Sequence, residues 1–201
     1  MAYTDIDDPS AFFQCSLYAG NAGTQTITHG GNSDLQADMV WLKGRNHAES
    51  TFVTDSVRGV DSQLYTNATN AVGTETNVVT AFGSDSFNIG NYSDINTNGK
   101  NYVSWNWKES ATAGFDIVAY TGSGSAKTVS HSLSAIPKMI IVKSRSATGQ
   151  WAVQHATLGP TKWTELQSTA AADFSTTIWN DTAPTSSVFT VGTNARTNAN
   201  G

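Results

Sequence analysis

The chain is short of charge. Asp, Glu, Lys and Arg make up only 13% of its 201 residues, against about 25% in an ordinary soluble domain. The basic residues stand singly, and the net charge is −5. Without a basic patch to displace counterions from phosphate, nucleic acid is not an expected partner. The single cysteine, Cys15, excludes an intramolecular disulfide and any cysteine-rich metal site. No stretch approaches the 18 or more apolar residues of a membrane-spanning helix, so no membrane insertion is expected. Residues 1–8 (MAYTDIDD) carry neither the positive start nor the apolar core of a secretory signal. A chain of this kind is expected to be made in a reducing cytoplasm and, if it works outside a cell, to leave by lysis.

Serine, threonine and asparagine stand where charge is missing, and Thr, Val, Trp, Tyr and Phe outnumber the long helix formers. These residues fit a pleated, half-buried surface. Residues 17–29 (LYAGNAGTQTITH) and 119–131 (AYTGSGSAKTVSH) align at one offset, matching Tyr18 with Tyr120, Gly20 with Gly122 and His29 with His131. The match resumes with Met39, Lys43 and Arg45 against Met139, Lys143 and Arg145, then Gly59 against Gly159. It closes with residues 87–90 (FNIG) against 189–192 (FTVG), and Asn98-Gly99 against Asn200-Gly201. Shared punctuation in one order predicts a tandem duplication. The expected organisation is an N-terminal arm at 1–16, a first unit at 17–108, a linker at 109–114 and a second unit at 115–201.

Short segments between turn signals predict an all-β fold, with each unit a β-sandwich of jelly-roll or lectin-like kind. Residues 39–42 and 139–142 are continuous apolar runs, which predicts strands buried on both faces. In residues 102–107 the alternation puts Val103, Trp105 and Trp107 on one face and Tyr102, Ser104 and Asn106 on the other, and the apolar set is expected to face the core. The second unit stops at Gly201, where the first begins that strand. Either the chain is a fragment or a neighbouring subunit donates the strand.

Catalytic patterns are missing. The four histidines, His29, His47, His131 and His155, stand apart, no Gly-x-Ser-x-Gly elbow is present, and acidic pairs are scattered. No catalytic, cofactor or metal residue is expected, and the chain is not expected to be an enzyme. Asp5, Asp7 and Asp8 have the spacing of calcium ligands but lack the glycine and distal glutamate of a calcium loop. Among the six tryptophans, Trp151 and Trp163 lie in polar, loop-like stretches. They are the candidate ligand-binding residues, since an exposed indole face can stack on a sugar ring.

Several segments together resemble a family of virion structural proteins of marine and cyanobacterial phages, the tail-fibre-like proteins with repeated lectin-like sandwich units. They are residues 5–14 (DIDDPSAFFQ), 55–59 (DSVRG), 82–87 (FGSDSF), 102–108 (YVSWNWK), 137–143 (PKMIIVK) and 158–162 (LGPTK). The resemblance implies a tail fibre, spike or decoration protein located in the virion and acting in assembly or host adhesion. It implies partners in other copies of the chain, with a trimer favoured, in other virion proteins and in a host-surface glycan. A carbohydrate-binding module or depolymerase of lectin-like fold is the alternative.

Overall fold

The computed structural model describes residues 6–201. The chain divides into two compact units, the first from Met1–Tyr65 and Val72–Phe115, the second from Thr66–Ala71 and Asp116–Gly201. The fold is all-β.

In unit 1, a 3-10 turn at Pro9–Ala11 is capped by the Asp8 carboxylate, which accepts from the Ser10 N–H at 2.9 Å. Proline suits this first position because its missing N–H would have no partner there. The strands are β1 (Phe13–Ala19), β2 (Gln25–Thr28), β3 (Met39–Gly44), β4 (Phe52–Asp55), β5 (Leu64–Tyr65), β6 (Val79–Gly83), β7 (Ser86–Ile89) and, after the one-turn helix α1 (Ser93–Asn96), β8 (Asn101–Trp107). They form a five-stranded sheet in the order β1-β8-β3-β4-β5 and a three-stranded sheet in the order β2-β7-β6. Val40, Leu42 and Phe52 from the larger sheet pack with Ile27, Val79, Phe87 and Ile89 from the smaller, so the unit is a sandwich with its core between the sheets.

Two expected boundaries move. Residues 13–16 are not an arm but the start of β1, paired antiparallel with β8 from Phe13↔Trp107 to Ala19↔Asn101. That ladder satisfies backbone groups that an arm would leave to water. The earlier residues 1–5 lie outside the described part. Residues 109–114 are not a free linker. Ser110 and Phe115 exchange backbone hydrogen bonds at 2.9 and 3.1 Å across a turn with Gly114 at φ +72°. The turn lays the Phe115 ring on Trp107, with centroids 6.1 Å apart, and this contact holds the segment to unit 1.

Unit 2 contains β9 (Lys127–Ser130), β10 (Met139–Val142), β11 (Ala152–His155), β12 (Lys162–Glu165), β13 (Asp173–Phe174), β14 (Val188–Val191) and the one-turn helix α2 (Ala195–Asn198). Four strands run in the order β10-β11-β12-β13, and β14 pairs with β9. Between them lie Val129, Val142, Ala152, Trp163, Ile178, Trp179, Phe189 and Val191.

The runs 39–42 and 139–142 are buried on one face only. Val40 and Leu42 are fully enclosed while Met39 and Trp41 are half-buried. In β10, Met139 and Ile141 are 57% and 39% exposed. An antiparallel sandwich gives each strand a single core face, so a continuous apolar run must show half its side chains on the outside.

Candidate functional site

β8 lies between β1 and β3 in the larger sheet of unit 1, and its orientation reverses the expectation from its sequence. The polar set faces inward: Tyr102, Ser104 and Asn106 are all fully enclosed. Each makes hydrogen bonds there, although the Asn106 Oδ1 is buried without a partner. The Tyr102 hydroxyl accepts from the Thr97 N–H at 2.9 Å and donates to the Ser93 carbonyl at 3.3 Å. The Asn106 amide donates to the Gln14 carbonyl and to Ser104 Oγ, both at 3.0 Å. On β1, Gln14 donates to the carbonyls of Ser10 and Ser33 and accepts from the Gly31 N–H. Ser16 Oγ meets His29 Nδ1 at 3.0 Å. Tyr18 stacks on Tyr102 with centroids 5.1 Å apart, and burial raises its hydroxyl well above the usual phenol range. This end of the sandwich is closed by hydrogen-bonded side chains rather than by aliphatic packing.

Because successive side chains alternate, the aromatic set of β8 points out. The register brings Phe13, Cys15 and Leu17 of β1 beside Trp107, Trp105 and Val103 of β8, and these beside Met39, Trp41 and Lys43 of β3. Phe13 is 40% and Leu17 62% exposed. Trp41, Trp105 and Trp107 are half-buried. Trp41 lies 6.2 Å from both other indoles at interplanar angles of 68° and 38°, and Phe13 lies 4.9 Å from Trp107 at 48°. The outer face of three adjacent strands is thus a contiguous apolar and aromatic surface, the kind that marks an interaction site. The Trp41 Nε1 donor is shielded from solvent with no hydrogen-bond partner.

Trp151 and Trp163 are both buried, at 6% and 5% exposure, so neither presents a ring face for stacking. Trp151 Nε1 donates to the Ala68 carbonyl at 3.1 Å, within unit 2. Trp163 belongs to the unit 2 core and carries the Arg196 guanidinium over its ring at 4.9 Å. Residues that look loop-like by their polar neighbours are enclosed because those neighbours supply hydrogen bonds to the chain around them. Trp105 and Trp107, expected in the core, lie on the outer face together with Trp41, since a period of two defines two faces but not which one is inside. The in-phase spacing of Phe13, Cys15 and Leu17 is the signal that links them.

The histidines are not brought together, and among the described residues no three His, Cys, Asp or Glu side chains are placed to hold a metal ion. Asp5 lies outside the described residues. His29 is buried against Phe87, and desolvation lowers its pKa against a weaker opposing pull from Asp85. Among the described residues no helix is long and apolar enough to cross a membrane.

By its fold, the protein is of the all-β sandwich class, with an aromatic outer sheet face on its first unit. The chain belongs to the family described as Domain of unknown function (DUF7483), which matches residues 8–201. No curated protein and no solved structure matches it.

Proposed function

We propose that the protein is a non-catalytic bacteriophage virion protein, a tail fibre, spike or decoration protein, that works by surface contact in assembly and adhesion. The observation that carries the contact role is the outer face formed by Phe13, Leu17, Trp41, Trp105 and Trp107. Leaving five large apolar side chains wholly or partly at a surface sacrifices the free energy of burying them, roughly 25 cal/mol per Å². Contact with another subunit recovers it. The virion setting is supported by the sequence resemblance, and by a surface rich in hydroxyls and amides on two sandwich units with matching elements. We take those matching elements to be products of one duplication.

The tilt of the rings favours a protein partner over a sugar. A glycan platform needs indole faces that a flat sugar chain can cover together, whereas Trp41 and Trp105 stand at 68° to each other. Interlocked rings of this kind fit the interdigitated core of a subunit interface. Closed symmetry would then repeat one such contact around an oligomer, a trimer being the arrangement we favour.

Sedimentation of the wild type and of a Trp105→Ser, Trp107→Ser double variant tests the contact role, and peptide mapping of gradient-purified phage particles tests the setting. The expected result is a wild-type oligomer, a monomeric double variant with unchanged β-sheet circular dichroism, and peptides of this chain in the particles. A wild type that is monomeric at all concentrations would overturn the contact role. Glycan binding that depends on Trp105 and Trp107 would replace it with the lectin-type alternative.

A further inference from the structure

Unit 2 contains a site of a different kind, separate from the aromatic face of unit 1. Strand β10 is the terminal strand of its sheet, hydrogen-bonded to β11 on one side. The corresponding strand of unit 1, β3, has neighbours on both sides, β4 and β8. The strand beyond β8 in unit 1 is β1, whose Tyr18 hydroxyl donates to the Ile95 carbonyl of α1. In unit 2 the Tyr120 hydroxyl makes the matching bond to the Thr197 carbonyl of α2. Residues 117–121 therefore hold the place of β1, β10 holds the place of β3, and the place of β8 between them is a groove.

The groove has a volume of about 170 Å³. Val118 and Tyr120 form one wall and β10 the other, with Phe189 also lining it. Its opening uncovers the core. Val40 and Leu42 of β3 are fully enclosed, whereas on β10 Ile140 is only half-buried and Val142 is 7% exposed. On the outer side, Met139 and Ile141 stand where Met39 and Trp41 are flanked by the indoles of Trp107 and Trp105. An open edge with apolar side chains on both faces is a template for another strand.

We propose that this groove accepts an extended strand of the same kind as β8, one that pairs antiparallel with β10 and carries large apolar side chains on alternate residues. Unit 1 defines the chemistry of the occupant, because there the same position is filled by β8. Main-chain hydrogen bonds to the β10 edge supply affinity that any sequence could use. Selectivity comes from the outward aromatics laid over Met139 and Ile141, and from inward side chains that close the core beside Ile140, Tyr120 and Phe189. The inference does not depend on the aromatic face of unit 1.

The test uses the whole protein with a labelled synthetic peptide of residues 100–108 (KNYVSWNWK), and with a control peptide in which both tryptophans are serine. Binding is followed by fluorescence anisotropy and the site by hydrogen exchange. The expected result is saturable binding by the first peptide, at least tenfold weaker binding by the control, and new amide protection at residues 139–143. Ile141→Lys, a change at an exposed side chain, should weaken binding tenfold or more while β11 and β12 keep their protection. The Trp105→Ser, Trp107→Ser protein should bind the peptide as the wild type does, which separates this outcome from that of the proposed subunit contact. Absence of binding, or protection confined to unit 1, would overturn the proposal.

Discussion

The side-chain amide of Asn96 donates to the carbonyl of Gly90 at 2.7 Å, and both residues are buried. The same amide donates to the Gly23 carbonyl, and its oxygen accepts from the Asn21 N–H at 2.9 Å and from Gln25 Nε2 at 2.7 Å. One side chain thus ties α1 to the exit of β7 and to the turn before β2. In unit 2, Asn198 repeats the pattern with the Gly192 and Ser125 carbonyls and the Ser123 N–H. Asn96→Ala removes the partner of the buried Gly90 carbonyl and of the half-buried Gly23 carbonyl, at up to about 1–3 kcal/mol each. A loss of about 3 kcal/mol in urea unfolding of unit 1 is expected. Asn96→Asp should cost at least as much, because its carboxylate would face the Gly90 and Gly23 carbonyls with no proton to give.

A second prediction concerns the ion pair of Arg58 with Asp55, which close to 2.6 Å with both side chains 6% exposed. The guanidinium also donates to the carbonyls of Ser62 and Val53, while the Arg58 N–H donates to the other Asp55 oxygen. Arg58→Ala strands a buried carboxylate, which costs about 3–5 kcal/mol. Replacing both residues with Ala should cost less than Arg58→Ala alone, since the uncompensated charge goes with its partner. A double-mutant cycle by chemical denaturation reads the difference.

Acid should weaken unit 1 through His29. Desolvation holds its pKa in the folded state below the ordinary 6.5, with Asp85 opposing in part. Its Nε2 is shielded and has no partner, so an added proton there would gain no hydrogen bond. The unfolded chain takes up that proton first as pH falls through about 6.5, and the contribution is fully lost below the folded-state pKa. Stability of unit 1 should therefore be constant above neutrality from this source and decline as pH falls through about 6.5. In His29→Gln that part of the pH dependence should vanish, as urea midpoints at pH 8, 6.5 and 5 would report.

The strands at 39–42, 102–107 and 139–142 are legible in the sequence as short apolar or aromatic runs, whereas β11 (Ala152–His155) and β12 (Lys162–Glu165) carry no such run. Facing was harder to read. Residues 102–107 present two faces by alternation, and hydrophobicity alone assigns the tryptophans to the core. The inside is instead lined by Tyr102, Ser104 and Asn106, because Gln14, the Ser93 carbonyl and the Thr97 N–H wait there to satisfy them. Gln14 comes from the far end of the unit's sequence, and no local pattern announces it. The same holds for Trp151 and Trp163, whose enclosure depends on Ala68 and Arg196. Phe13 was misplaced for the opposite reason: β1 looks like an arm until its seven-residue partner β8 is known.

The matched glycines give the last prediction. A Cβ at Gly20 would collide with the Thr97 carbonyl, and one at Gly122 with the Ala199 carbonyl. Neither glycine has a positive φ, so the requirement is for space and not for a left-handed backbone. Each sits where the chain passes directly against the residues that follow a one-turn helix, and the Gly20 N–H donates to the Lys100 carbonyl at 2.8 Å in the same contact. The obstructing atoms are backbone and cannot rotate aside, so alanine must push two segments apart. Such overpacking costs about 1–3 kcal/mol. Gly20→Ala should destabilise unit 1 and Gly122→Ala unit 2 by amounts in that range. At Gly30 and Gly149 a Cβ meets nothing within 4 Å. Alanine there should be neutral or stabilising by about 0.4–1 kcal/mol, through the lower entropy of the unfolded chain. Thermal unfolding of the four single variants separates the two outcomes. Equal tolerance at Gly20 and Gly30 would show that the close approach of residue 20 to Thr97 is not a constraint on the fold.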